Sequence, residues 1–179
     1  MKQQDFTLLP FAGGPAVELF SLSGAVSRQG TRLAITYRLT GPLPELQLAP
    51  PARLPVRRWL LWEATCLEFF LAPRDAEGYW EFNLSPAGHW NVFRLSNYRQ
   101  GIEEEPALSA LPFTIDRRPR LLSLDLAVDL APILSESIPL EAAVSAVLQH
   151  RDGSFSYWAL THPSPRPDFH HRQGFCIKL

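Results

Sequence analysis

Along most of the chain apolar and polar residues alternate with a period of two, the spacing of a strand with one buried face. The run 31–39, "TRLAITYRL", sets Leu33, Ile35, Tyr37 and Leu39 against Arg32, Thr36 and Arg38. The run 121–129, "LLSLDLAVD", sets Leu122, Leu124, Leu126 and Val128 against Ser123, Asp125 and Asp129. In 140–150 Leu140, Ala142, Val144, Ala146 and Leu148 share a side. Further strands are expected near 17–27, 59–71, 79–84, 89–95, 112–117, 154–161 and 174–179. No long stretch has helical periodicity; "EEEPALSALP" and "DLAPILSES" are each expected to hold a helical turn.

Turn chemistry falls between these runs. "RQGT" (28–31) and "RDGS" (151–154) read as hairpin connections in which Gly supplies positive φ, and "SPAG" (85–88) as another tight turn. The Pro-rich stretch 41–58 holds Pro42, Pro44, Pro50, Pro51 and Pro55. It reads as a long internal loop, because too few strands precede it to close a core. About ten short strands with frequent turns predict an all-β protein: a single jelly-roll-like antiparallel β-sandwich over residues 1–179, with a closed barrel as the alternative.

Two strand candidates carry carboxylates. In "LWEATCLEFFLAP" (61–73), Leu67, Phe69 and Leu71 form the core side, and Trp62, Cys66, Glu68 and Phe70 the other. In "YWEFNLSPAGHW" (79–90), Trp80, Phe82 and Leu84 face the core, and Tyr79, Glu81 and Asn83 face away. Glu63 has core parity at the strand's start and is expected at the rim, paired with an Arg. As neighbours, these strands would put Trp62, Glu68, Tyr79, Glu81 and Asn83 on one face. Aromatic planes beside carboxyl and amide groups suit a ligand with apolar faces and polar edges, above all a sugar. The plain structural alternative is that Glu68 or Glu81 pairs with Arg94 or Arg99 and braces the sheet. In 154–161 Trp158 shares a side with Ser156, Leu160 and His162; it either opposes Trp62 across a cleft or belongs to the core. The loop "SNYRQG" (96–101) offers Tyr98 and Arg99 as binding residues or as an ordinary surface turn.

Composition narrows the function classes. A net charge of −1 leaves no electrostatic footprint for nucleic acid or an anionic membrane. No run approaches the ~18 apolar residues of a membrane span. Of 17 basic residues only Lys2 and Lys178 are lysine; this Arg bias fits genome composition or planar recognition of polar ligands. Two cysteines, Cys66 and Cys176, with no signal-peptide pattern near Lys2, lead us to expect free thiols in a cytoplasmic protein.

The stretches "WEATCLEFFLAP", "YWEFNLSPAGHWNVF" and "YWALTH" together resemble the DOMON-like group related to family-9 carbohydrate-binding modules. The likeness rests on a strand "E-x-x-x-x-E-x-F" followed by one ending "E-F-N-x-S-P-x-G", and spans about residues 15–179. It implies a jelly-roll fold that binds a ligand. In family-9 modules two Trp side chains sandwich a terminal sugar; the matching residues here are Trp62 and Trp158 for stacking, with Glu68, Glu81 and Asn83 for hydrogen bonds. The chain has no Asp-rich "D-x-D-x-D-G" loop, so calcium is not implied. Haem-binding relatives use axial Met and His, and the single methionine is Met1. A bis-His site would draw on His89, His150, His162, His170 or His171.

The resulting expectation is a non-catalytic module binding a carbohydrate or polyol, with no cofactor or metal. Its candidate ligand residues are Trp62, Glu68, Tyr79, Glu81, Asn83, Arg94, Tyr98, Arg99, Trp158 and His162. The alternatives are a protein-interaction domain, haem binding, or a small glycosidase using Glu68 and Glu81. A metal hydrolase built on His162, Asp168, His170 and His171, or a Cys66 nucleophile, is the lesser enzymatic reading.

Overall fold

The computed structural model describes residues 2–179. Twelve strands are present among them: β1 (Lys2–Pro10), β2 (Ser21–Gln29), β3 (Arg32–Thr40), β4 (Cys66–Pro73), β5 (Tyr79–Leu84), β6 (Trp90–Leu95), β7 (Glu103–Glu104), β8 (Phe113–Arg118), β9 (Leu121–Asp129), β10 (Leu140–Gln149), β11 (Phe155–Ala159) and β12 (Ile177–Lys178). The helical elements among the described residues are four three-residue 3-10 turns. The protein is all-β, and its strands follow one antiparallel path, β7-β6-β5-β4-β10-β11-β1-β2-β3-β9-β8, with β12 beside β10.

The path curls at β1. Residues 2–8 of this strand pair with β2, while Leu9 and Pro10 pair with Ala159 and Trp158 of β11. Two arms therefore leave one strand, and their apolar faces meet in a common core. Leu33, Ile35, Tyr37 and Leu39 from β3 join Leu67, Phe69 and Leu71 from β4 and Val144, Ala146 and Leu148 from β10. Full burial of each large side chain contributes roughly 1.5–3 kcal/mol. Phe69 stacks on Phe82 with centroids 4.2 Å apart. A polar tie crosses the same core: the Tyr37 hydroxyl donates to the Glu68 carbonyl at 2.7 Å.

The turns are those expected. Gly30 (φ 61°) closes β2–β3, Gly88 (φ 96°) closes β5–β6 and Gly153 (φ 85°) closes β10–β11. The stretch between β3 and β4 is an internal loop anchored by Arg57. Its guanidinium donates to Asn91 Oδ1 (2.8 Å) and to the carbonyls of Val92, Glu105 and Leu108. It also lies 4.4 Å from the Trp90 ring centroid.

The elements depart from expectation in four places. β1 precedes the first expected strand. The strand expected at 59–71 begins only at Cys66, because Leu60 adopts φ 61° and Leu61–Glu63 forms a 3-10 turn. "EEEPALSALP" contains the short strand β7 in place of a helical turn. The last strand shrinks to Ile177–Lys178. "DLAPILSES" does make one turn, in which the Leu134 amide donates to the Leu130 carbonyl.

Candidate functional site

A second apolar cluster lies on the other face of the β6-β5-β4-β10 arm. Phe70, Tyr79, Phe93, Leu95, Ala143 and Phe175 form it, with Trp62 and Phe169 packed against it. Beside it opens a cavity of about 370 Å³, at the small end of the range for ligand sites of about 300–1,000 Å³. Its floor comes from strands: Glu68 of β4, Glu81 of β5, Leu95 of β6, Val147 of β10 and Tyr157 of β11. Its walls come from three loops, through Trp62, through Arg99 and Ile102, and through Pro167, Phe169 and His170.

Parity places the two carboxyls. Glu68 pairs with Asn83 on β5 and with Ser145 on β10, while Glu81 pairs with Phe70. Glu68 and Glu81 are thus diagonal neighbours on one face, a spacing of about 7–8 Å between backbones. Both are buried, at 2% and 4% exposure. Each has one oxygen held by its neighbours. Ser145 Oγ donates to Glu68 Oε2 at 3.2 Å, and Asn83 Nδ2 donates to Glu81 Oε1 at 2.9 Å. Glu68 Oε1 is buried with no hydrogen-bond partner. Glu81 Oε2 lies 4.0 Å from His170 Nε2.

Burial, followed by the nearby Glu81 charge, pushes Glu68 up to about 8. Burial also raises Glu81, against the pull of the Asn83 hydrogen bond and of Arg99. At neutral pH the pair therefore retains a proton. His170 moves the other way, down to about 4, through burial and then Arg99, and is a neutral imidazole. Tyr79 Oη accepts from the Arg99 amide (3.2 Å) and shares a hydrogen bond with His170 Nδ1 (2.8 Å), which turns Nε2 to the Glu81 side.

The rim is held by Asp168. It accepts from Tyr98 Oη (2.7 Å), Arg99 Nη2 (3.1 Å) and the His170 amide (3.1 Å), joining the loop after β6 to the segment before the last 3-10 turn. Leu60 and Arg99, two of the three non-glycine residues with positive φ, sit at the base of two wall loops. Strained backbone of this kind persists where surrounding contacts over-determine it.

The structure thus brings Trp62, Glu68, Glu81 and Arg99 to the cavity, with Asn83 and Tyr79 directly behind them. Tyr98 reaches Asp168 from the rim. Three candidates lie elsewhere. Trp158 is a core residue, 2% exposed, whose Nε1 donates to Ser156 Oγ at 3.0 Å; it cannot oppose Trp62, because strand parity turns the adjacent Tyr157 to the cavity. Arg94 has core-side parity in β6 and reaches out at the rim to Glu103 at 3.0 Å. His162 Nε2 contacts the Leu9 carbonyl at 2.8 Å, and its ring meets Phe11 edge-on. Glu63 is exposed, and no Arg lies within ion-pair distance of it among the described residues. Nor do three or more His, Cys, Asp or Glu side chains converge as metal ligands among them.

Sequence reasoning missed Tyr157, Phe169, Leu95 and Val147, and weighed His170 only as a metal ligand. Tyr157 was masked because both faces of 154–161 mix aromatic with small polar residues. Phe169 and His170 lie outside any strand, where no periodicity applies.

No family profile matches the sequence, and no curated protein matches it. Solved structures do share its fold. A Bacteroides uniformis protein suggested to bind carbohydrate aligns over 98% of this chain and 84% of its own, with TM-score 0.73 and 14% identity. A family-9 carbohydrate-binding module from Caldicellulosiruptor kristjanssonii in complex with glucose aligns over 84% of this chain and 72% of its own, with TM-score 0.53. The cellotriose complex of a family-9 module from that organism aligns over 88% and 74%, with TM-score 0.54. At 14%, 8% and 8% identity, what this chain shares with them is the fold.

Proposed function

We propose that the cavity binds a carbohydrate or similar polyol without transforming it. The observation that carries this reading is the unpartnered, buried Glu68 Oε1 on a floor walled by Trp62, Tyr157 and Phe169. A buried polar oxygen left without a partner costs about 1–3 kcal/mol, which a ligand hydroxyl would recover. The aromatic rings offer flat apolar surface to the C–H faces of a sugar ring. The fold shared with sugar-bound family-9 modules supports the reading by analogy. On this reading the curled sheet is a jelly-roll-like sandwich of the DOMON-like kind, and residues 1–179 act as one domain. The double pairing of β1 supports the single domain.

Isothermal calorimetry with simple hexoses and short oligosaccharides tests the function. We expect binding that Trp62→Ala and Tyr157→Ala each weaken by about tenfold or more, the loss of one stacking face, in variants that still unfold cooperatively above the assay temperature. Absence of binding across a broad glycan array sinks the reading.

A second reading has its own observation. Leu54, Val56, Trp59 and Leu60 of the long loop are all exposed, at 75%, 42%, 49% and 50%. Such a strip suits a protein partner. Loss of a pulled-down partner on Leu54→Ser, with sugar binding unaffected, would establish it.

A further inference from the structure

The carboxyl pair on the cavity floor has no cation bonded to it. Among the described residues Arg99 is the only Lys or Arg lining the cavity; its charge is felt at Glu81, but its guanidinium is directed to Asp168 at 3.1 Å. His170 is kept a neutral ring by burial and by the Arg99 charge. Burial raises both Cys66 and Tyr79, on the same face, so neither supplies a charge. Two buried carboxyls with no cation bonded to them are costly, and the protein meets the cost by holding a proton. A ligand that brought its own positive charge would displace that proton to solvent and pair with both groups.

The free acceptors suit such a group. Ser145 and Asn83 occupy one oxygen of each carboxyl and leave Glu68 Oε1 and Glu81 Oε2 for a ligand. An ammonium has three donors and accepts nothing, which matches a floor of acceptors. Trp62, Tyr157 and Phe169 line the same cavity, and aromatic faces attract a cation. A neutral hydroxyl would use the same oxygens but would leave the buried charge uncompensated.

We propose that the ligand is an amine-bearing sugar or polyol whose ammonium donates to Glu68 Oε1 and Glu81 Oε2. This rests on the reading of the cavity as a sugar site and names the class of sugar it takes. The ring would sit against the aromatic walls, and the amine would go to the floor.

Calorimetry on the full chain in phosphate buffer, free of competing amines and at a mildly acidic pH where the sugar amine is charged, separates the two levels. The probes are glucosamine, glucose and N-acetylglucosamine. Glucosamine is expected to bind at least about tenfold more tightly than either of the others, since a charge-assisted hydrogen bond is roughly twice as strong as a neutral one. Glu81→Gln is expected to remove that preference while leaving weak binding of all three; Glu68→Gln serves the same purpose should the first variant fail to fold. Equal binding of glucose and glucosamine overturns the ammonium and leaves the sugar site standing. Equal binding of N-acetylglucosamine and glucosamine does the same, because acetylation removes the charge. A glucosamine preference that survives in both variants overturns the role of the carboxyls. No binding by any of the three overturns both the sugar site and the ammonium.

Discussion

Glu68 is a stability liability that the protein keeps. Its ordinary value is 4.5, and the folded protein raises it to about 8. Between those limits the folded state holds a proton that the unfolded chain has released. Stability from this group is therefore full below 4.5 and is lost as pH rises through 8. Glu81, also raised, acts in the same direction. His170, lowered from 6.5 to about 4, opposes them, since its contribution is lost as pH falls below 6.5. The two trends overlap below 6.5; above it only the carboxyls act. We expect the melting temperature to fall between pH 6.5 and 8, and Glu68→Gln to flatten that slope and raise the melting temperature at pH 8, checked by calorimetric scans. Part of this was legible in advance. Period-two parity alone put Glu68, Glu81, Tyr79 and Asn83 on one face. It grouped Trp158 with Ser156 and Leu160 but left that side open between cleft and core; the side is core, where Ser156, itself bonded to His150, gives the buried indole a polar partner beside a half-exposed Tyr157. Nothing in the sequence says which of two adjacent aromatics will find that partner.

Among the elements, the long loop between β3 and β4 has the strongest hold on the site, since it delivers Trp62. A stretch with five prolines and no periodicity told its existence but not its shape. Its shape depends on Arg57, which answers four acceptors from β6 and the segment after β7 with one planar fork. A lysine cannot reproduce that fork. Arg57→Lys should cost about 3–6 kcal/mol, the order of two lost hydrogen bonds to a charged donor, and should weaken ligand binding although Arg57 does not line the cavity; chemical denaturation and calorimetry report the two effects. The strands themselves were largely readable, since Leu33 through Leu39 and Leu122 through Val128 alternate cleanly. β1 was not, because only Phe6 and Leu8 turn inward, and the exposed Leu9 blurs the alternation. β2 has a different constraint. A Cβ at Gly24 would lie 1.9 Å from the Thr36 carbonyl oxygen and 2.5 Å from Phe6 Cζ. Gly24→Ala should destabilise by roughly 2–3 kcal/mol or more, lowering the melting temperature by on the order of 5–10 °C, as thermal unfolding would register.

For the molecule as a whole, most neighbours in the sheet are also neighbours in the chain, and a few distant pairings tie these local units into one fold. β3 pairs with β9, β4 with β10, and β1 with β11. The local hairpins β2–β3, β4–β5, β8–β9 and β10–β11 can close early, but none of them contains the cavity. All-β chains with such distant pairings fold in about milliseconds to seconds, against microseconds for helical bundles. Stopped-flow refolding followed by Trp fluorescence should fall in that slow range, and microsecond refolding would contradict this topology. The double pairing of β1 carries a consequence in time. On a growing chain Leu9 and Pro10 wait, unpaired with β11, until that strand has been made. Tyr157 belongs to the partner they wait for, so the seam that joins the two arms runs along the strand that walls the cavity.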